Sequence, residues 1–380
     1  MLAKHSPLGA SGASRWMKCP GSVSLTHGIA NEESDFATEG TRAHTLAAYC
    51  LETGQQAWEL MDDTVTKDMA DAVQVYLDFV RTVFPERNQG NTWIERSFHC
   101  PDLHPLMYGQ TDFAYLKERN FSIIDYKHGV GIVVEVKENP QEMYYAAAML
   151  EDLGLWDAVD TIDIWVAQPR AYHSHGPIRR WSLSTDDLRA WVEGELIPAM
   201  HVAEFSDVLV SGDHCRFCPA LKRNCPQIAR DMDEAQEMTS MIQQLKGGVE
   251  ELSNEQVARY LDLWDLVKMV ASAANKTAFN RLSAGKVIPG RKLVDAKANR
   301  VWRDGAIAAL FAEYGDVAYT TPELKSPAQI EKLPLGERLA AQWAFKPDTG
   351  LTVVKGDDSR PQVSQDTKSL FRDVTKKEGN

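Results

Sequence analysis

Apolar residues recur along the chain at two different spacings, and the switches between them outline its elements. From Ser34 to Glu52, "SDFATEGTRAHTLAAYCLE", small and apolar residues return every three or four positions, which predicts a helix ending before Gly54. "KDMADAVQVYLDFVRTVF" (67–84) repeats that pattern. The spacing then shortens. "TWIERSFHC" (92–100), "YGQTDFAYL" (108–116) and "FSIIDYK" (121–127) read as strands, and polar "KERN" between the last two predicts a hairpin. "GIVVEVKE" (131–138) reads as a short strand or strand-like connection. Helical spacing returns in "NPQEMYYAAAMLEDLG", with Asn139 as cap, Pro140 at the first helical position, Glu142 at the third and Gly154 as the stop. "TIDIWVAQPR" (161–170) is predicted as a further strand and "STDDLRAWVEGELIPAM" (184–200) as a further helix. The order helix, three strands, helix, strand is that of an α/β protein.

Beyond about residue 230 the character changes. A long helical pattern covers roughly 254–283, followed by mixed segments, and the polar end "GDDSRPQVSQDTKSLFRDVTKKEGN" reads as a flexible tail. Three parts follow: residues 1–230, a mainly helical region over 231–352, and a tail over 353–380.

Composition narrows the function classes. The 380 residues are 44% apolar and 25% charged, as in ordinary globular domains. The net charge of −13, from 41 basic and 54 acidic residues, argues against a surface that coats nucleic acid indiscriminately. It leaves room for an enzyme whose acids hold metal. "PIRRW" (Arg179, Arg180) and "ALKRN" (Lys222, Arg223) are the local basic pairs and read as solvated surface. No stretch reaches the ~18–20 apolar residues of a membrane span, and the opening "MLAKHSPLGASGASRW" lacks an apolar signal core, so a cytoplasmic protein without a membrane partner is expected. In that reducing compartment six cysteines are not a disulfide framework. Cys215, Cys218 and Cys225 cluster as C-x2-C-x6-C, while Cys19, Cys50 and Cys100 are scattered.

The chemistry concentrates in a few places. Strand alternation puts Phe121, Ile123, Asp125 and Lys127 on one face, with Ile124 and Tyr126 on the other. An ionised pair at the end of an apolar row must be paired, solvated or bound to metal. If the predicted hairpin forms, Asp112 of "GQTDFAYL" can meet Asp125, and a hard cation such as Mg²⁺ or Mn²⁺ would relieve the repulsion between the two carboxylates. A strand-end salt bridge accounts for Asp125 and Lys127 equally well. His44 shares a helical stripe with Ala37, Thr41, Ala48 and Leu51, and Gly40 lies one turn earlier; a satisfied core histidine is the plain alternative. Gln141 and Tyr145 stand one turn apart at the start of the next helix, where anions are favoured, although a surface amide and a core tyrosine would look the same. Glu95 could approach the metal site or DNA but reads first as a strand-face acid, and His173 and His175 could chelate a metal but read first as loop residues.

Together, "EGTRAH", "GQTD", "IIDYK" and "QEMYY" resemble, in order, the His, G-x-x-D, D-x-K and Q-x-x-x-Y motifs of RecB-like nucleases in the PD-(D/E)XK superfamily. Asp125 is an allowed variant at the usual Glu/Asp position. The resemblance covers roughly residues 15–230. It implies a restriction-endonuclease-like core with a helical C-terminal extension, and a metal-dependent DNA exonuclease. In that family's terms Asp112, Asp125, the Tyr126 backbone carbonyl and His44 would bind Mg²⁺ or Mn²⁺. Lys127 would orient the attacking water, and Gln141 and Tyr145 would support Lys127 or the DNA backbone. The implied partner is DNA, single-stranded or an end-resected duplex, with a phage recombination protein as a further partner, since phage-encoded relatives share this layout. Cys19 with Cys215, Cys218 and Cys225 resembles the four-thiolate [4Fe–4S] site of AddB-type and CRISPR-associated members, fastening the chain's beginning to the end of the core. A structural zinc ion would use the same ligands. The alternative from another class is a catalytically inactive nuclease fold that binds DNA or assembles a complex. Cys50 and Cys100 are expected to be small core or surface residues, and Trp16 to pack beside the cluster.

Overall fold

The computed structural model describes residues 5–29, 35–87, 90–130, 132–173, 175–223, 225–295, 301–303, 305–320, 323–332, 335–345 and 351–355. The chain divides into two compact units, residues 1–269 and 270–380. The first is built on a five-stranded sheet with helices on both faces, an α/β architecture.

Two helices come first, α1 (Asp35–Thr53) and α2 (Lys67–Val83). In α2 the side chains of Met69, Ala70, Val73, Tyr76, Leu77 and Val80 recur at helical spacing, and all are buried. Thr66 caps this helix by accepting the Met69 N–H at 3.3 Å. Arg81 ties it to the end of α1, donating to the carbonyls of Cys50 and Gln55 at 2.9 and 2.6 Å.

The sheet follows: β1 (Thr92–His99), β2 (Tyr108–Lys117), β3 (Asn120–Tyr126), then α3 (Pro140–Asp152), β4 (Thr161–Ala167) and β5 (Ile178–Ser184). Spatial order equals chain order. Only β3 and β4 pair in parallel, and α3 supplies the crossover between them. The predicted hairpin is present, closed by Glu118 and Arg119 between Lys117 and Asn120. Central β3 is buried on both faces. Phe121 and Ile123 pack towards α3, while Ile124 and Tyr126 pack towards α1 and α2, as alternation requires. In α3 the run Ala146–Leu150 is fully buried, so this helix is wrapped by the fold on every side. Asn139 caps it, accepting the Gln141 N–H at 3.0 Å.

Three sequence expectations change. Residues 132–138 form no strand; Gln168 holds them, accepting from the Val134 N–H at 3.0 Å and donating to the Ile132 carbonyl at 2.7 Å. "PIRRW" belongs to edge strand β5, and only one of its two arginines is solvated: Arg180 is exposed as expected, Arg179 is not. Arg179 is buried, donating to the Val134 carbonyl, and Arg180 binds Asp163 at 2.7 Å while lying over Trp165. The helix expected over 184–200 is present and runs on to Phe205, but it is not regular: α4 (Thr185–Trp191) passes through a π-turn at Val192–Leu196 into α5 (Ile197–Phe205).

The N-terminal segment is part of this core. Leu8, Ala10, Ala13 and Trp16 are buried in the cluster that contains α3. Further along, the Gly21 N–H donates to the Val208 carbonyl at 2.8 Å. A Cβ on Gly21 would lie 2.6 Å from the Asp207 carbonyl carbon, so only glycine permits the two backbones to meet.

Beyond α5, α6 (Pro226–Gln244) and α7 (Asn254–Ser283) follow. The second unit is not helical throughout. Among its described residues it has three two-stranded ribbons, one pairing Arg291–Asp295 with Leu351–Lys355. A small core of Ala306, Leu310, Ala318, Ile330 and Leu339 packs against Trp302, Tyr314 and Trp343. The tail expected over 353–380 begins inside that last strand, and residues 356–380 lie outside the described set.

Gly21→Ala is expected to lower stability by about 1–3 kcal/mol through this overpacking. Gly194→Ala, whose Cβ would meet nothing within 4 Å, should be neutral or slightly stabilising. Urea unfolding of the two variants measures the contrast.

Candidate functional site

The β2–β3 ladder runs from Lys117–Asn120 to Phe113–Ile124 and stops there. The next pair in that register would be Asp112 and Asp125. Instead of continuing the ladder, Asp112 turns its side chain into the gap, and Oδ2 accepts the Tyr126 N–H at 2.7 Å. The other oxygen, Oδ1, meets His44 Nδ1 of α1 at 3.1 Å. Glu95 of β1 comes within 4.0 Å of the same imidazole nitrogen. Ligand atoms of His44, Glu95 and Asp112 thus lie within 4.8 Å of one another, close enough to share one cation. The His44 ring meets the Tyr126 ring edge-on, with 5.5 Å between centroids. A Cβ on Gly40 would meet nothing within 4 Å, so α1 presents open space one turn before His44.

Asp125 and Lys127 continue the apolar row of β3 towards α3. Lys127 Nζ stands 2.8 Å from Asp125 Oδ2, but so obliquely that the oxygen makes no hydrogen bond. From α3, Gln141 donates to the Tyr145 hydroxyl at 3.4 Å. Tyr145 packs against Phe98. Five of the sequence-derived residues, His44, Asp112, Asp125, Tyr126 and Lys127, therefore gather at one opening in the sheet. Gln141 and Tyr145 pair with each other on the helix behind it.

Two further carboxyls join this site: Glu95, for which the sequence reading kept an approach to the metal as the lesser alternative, and Glu142, which it placed elsewhere. Glu95 has a left-handed backbone, φ 46°, within a strand. Around it the alternation of β1 breaks: Trp93 and Phe98 pack in the same cluster although five positions apart, and Ile94 packs in the other. No spacing rule locates such a residue; its place across from Asp112 becomes visible only with the register of β1 on β2. Glu142 looked like a helix-start acid, but its side chain is fully buried and neither oxygen has a hydrogen-bond partner among the described residues. Its nearest cation is Lys127, 3.8 Å away.

Crowded acids shape the protonation of the site. Burial pushes the His44 imidazole down, but Asp112, with Asp125 and Glu95 behind it, outweighs burial and raises it to about 9. Glu95 is raised to about 7, first by burial and then by the charge of Asp112. Burial raises Asp125 against the pull of Lys127, and raises Glu142 well above the carboxylate range, with Asp125 adding to it. Burial works against the Lys127 ammonium, yet Asp125 and Glu142 together raise it. An ammonium between two carboxyls keeps its proton, and of the two carboxyls Asp125 is the nearer to it.

A second trio, His104, His201 and Glu204, also brings ligand atoms within 4.8 Å. There the Leu106 N–H donates to His104 Nδ1 at 3.1 Å, which leaves the hydrogen on Nε2, facing Glu204 at 3.3 Å. That nitrogen is a donor and not a ligand.

The four clustered cysteines draw together from both ends of the first unit. The Val210 N–H donates to Cys19 Sγ at 3.3 Å, next to the Gly21–Val208 contact. Burial lifts the Cys215 thiol to about 11; the Gly212 N–H opposes this, while Cys218, Cys19 and Cys225 add to it. Among the described residues no three of these sulfurs lie within 4.8 Å of one another. Trp16, expected beside them, is buried in the α3 cluster and donates its indole N–H to the Gly9 carbonyl at 3.0 Å. Cys50 and Cys100 are buried, as expected of small core residues.

A family model described as "Protein of unknown function (DUF2800)" matches residues 5–361. The chain belongs to the DUF2800 family. That match takes in both compact units, and every residue of the candidate site and of the cysteine group falls inside it. No helix among the described residues is long and apolar enough to cross a membrane.

The raised groups fix the pH response of the metal-free protein. His44 and Glu95 both hold protons more tightly when folded, so the stability they contribute falls as pH rises, from 4.5 to about 7 for Glu95 and from 6.5 to about 9 for His44. Urea unfolding in chelator should show this decline, and Asp112→Asn should remove most of its upper part. NMR titration of the His44 ring should show the same variant moving its midpoint down.

Proposed function

We propose that this DUF2800 chain is a metal-dependent deoxyribonuclease of the RecB-like, PD-(D/E)XK type, acting as an exonuclease in phage recombination, replication or DNA processing. One observation carries the reading: two aspartates stand one position beyond the last paired residues of the central hairpin, with an imidazole at 3.1 Å from one and an ammonium at 2.8 Å from the other. The element order around them, helix, three strands, helix, strand, with only the last pair parallel, agrees with that superfamily's core.

The trio fits a hard divalent cation: His44, Glu95 and Asp112 bring two carboxylates and one imidazole within 4.8 Å of one another, with Asp125 outside that group. Asp112, Asp125 and His44 would hold Mg²⁺ or Mn²⁺, with the Tyr126 carbonyl and Glu95 as further oxygens. When bound, such an ion polarises the scissile phosphate and offsets its charge. Asp112 also fixes the backbone at Tyr126 through the N–H it accepts, and so sets the position of the following Lys127. The Lys127 ammonium, which keeps its proton, faces the attacking water and the charge that builds on the phosphoryl oxygens. Gln141 and Tyr145, at the N-terminus of α3, offer hydrogen bonds to the DNA backbone beside it.

The four thiols support a structural metal group. A [4Fe–4S] cluster would take one sulfur on each iron, and a structural zinc ion would hold all four at about 2.3 Å. Such a group would extend the fastening begun by Gly21 and Val208.

Purified protein with Mn²⁺ is expected to degrade end-labelled linear DNA and to stop in chelator. Asp125→Asn and Lys127→Ala should each reduce the rate by at least about 100-fold with the fold intact by circular dichroism. Activity surviving both substitutions would overturn the mechanism. DNA binding with neither metal binding nor hydrolysis would identify an inactive nuclease fold. Anaerobically purified protein should carry about four irons and four acid-labile sulfides per chain; one zinc and no sulfide would replace the cluster by a zinc staple.

A further inference from the structure

Glu142 takes no part in the mechanism above, yet a carboxyl in its position needs a physical reason. It sits in the first turn of α3, 0% exposed, with both oxygens unpartnered among the described residues. An apolar side chain of similar size would avoid the loss of hydration that this group suffers. Its nearest cation among the described residues is Lys127, whose Nζ stands 3.8 Å from Glu142 Oε1, beyond hydrogen-bonding reach. The same ammonium is 2.8 Å from Asp125 Oδ2 in an oblique contact. One cation thus stands between two buried carboxyls, close to the first and just short of the second.

Asp125 cannot serve two cations equally. Within the nuclease reading, on which this inference rests, Asp125 is also a ligand of the divalent ion. A doubly charged ion at that carboxylate repels an ammonium already touching it, and in a desolvated site the repulsion is strong. Lys127 then has to leave the site or find another anion within reach. The α3 side of the site offers one.

We propose that Glu142 is the second seat of Lys127: when a divalent ion takes Asp125, the ammonium passes to Glu142 Oε1 and stays in the site. Glu142 is therefore a positioning residue. It touches neither substrate nor ion, and it keeps Lys127 near the phosphate when Asp125 has released it. This gives a reason for a buried carboxyl whose two oxygens have no hydrogen-bond partner among the described residues and whose nearest cation stands 3.8 Å away.

Calorimetric titration with Mn²⁺ tests the idea without reference to activity, using wild type, Glu142→Gln, Lys127→Met and the double variant. Glu142→Gln should weaken Mn²⁺ binding by about tenfold or more, since the ammonium is left without an anion when the ion binds. In the Lys127→Met background the same substitution should change affinity by less than about twofold, because no cation remains to be seated. Unchanged affinity in Glu142→Gln overturns the inference, as does an equal loss in both backgrounds, which would make Glu142 act on the ion directly. Either result leaves the nuclease reading standing. Failure of the wild-type protein to bind Mn²⁺ overturns both. Should Glu142→Gln not fold, a crystal structure of the wild type with Mn²⁺ decides: Lys127 hydrogen-bonded to Glu142 supports the inference, and Lys127 still on Asp125 refutes it.

Discussion

The parting of the central hairpin at Asp112 and Asp125 is the constraint on which the site depends. Antiparallel strands normally continue their ladder until a turn or an edge stops them. Here the ladder ends inside the sheet, and a carboxylate does what a backbone carbonyl would have done for the Tyr126 N–H. That exchange keeps the buried donor satisfied while opening room between two strands. Into that room project acids and bases from four elements: α1, β1, β2 and β3.

Such a concentration of charge is costly to hold without a ligand. The structure balances it internally, setting His44 against Asp112 and Lys127 against Asp125. The balance is incomplete. Glu95 is pushed up to about 7, and Glu142 has no hydrogen-bond partner among the described residues. A protein optimised only for stability would replace such groups with apolar ones, because a buried ion pair seldom adds net stability. Four acids, a histidine and a lysine at one opening make up the kind of perturbed cluster that functional sites favour.

The rest of the first unit keeps that opening in place. Arg81 fastens α2 to the end of α1, which carries His44. The buried face of α3 packs in the same core as β3, and so holds the helix that carries Gln141, Glu142 and Tyr145. The N-terminal segment lies in the same core as α3, and its close approach to residues 207–208 depends on the missing side chain of Gly21. The cysteines sit where that segment meets the return of the chain, so a metal group there would reinforce a contact that packing already makes.

Local pattern was enough for what local physics decides. Alternation in "FSIIDYK" placed Asp125 and Lys127 on one face and Tyr126 on the other; Asn139 and Pro140 announced α3; the spacing of "GQTD" and "IIDYK" allowed their acids to meet across a hairpin. Periods of two and of three to four are set by the backbone, and each residue carries them wherever it goes. Other features had no local signal. Arg179 and Arg180 read as a solvated pair until β5 was laid on β4, where one is buried and the other finds Asp163. Glu142 read as a helix-start acid because position alone cannot show which way a first-turn side chain faces. Glu95 needed the register of a neighbouring strand and a left-handed kink that no spacing rule contains. Sequence by itself determined which groups could share a strand or a helix face. Only tertiary structure decided which faces meet, because burial and ion pairing depend on neighbours that lie far apart along the chain.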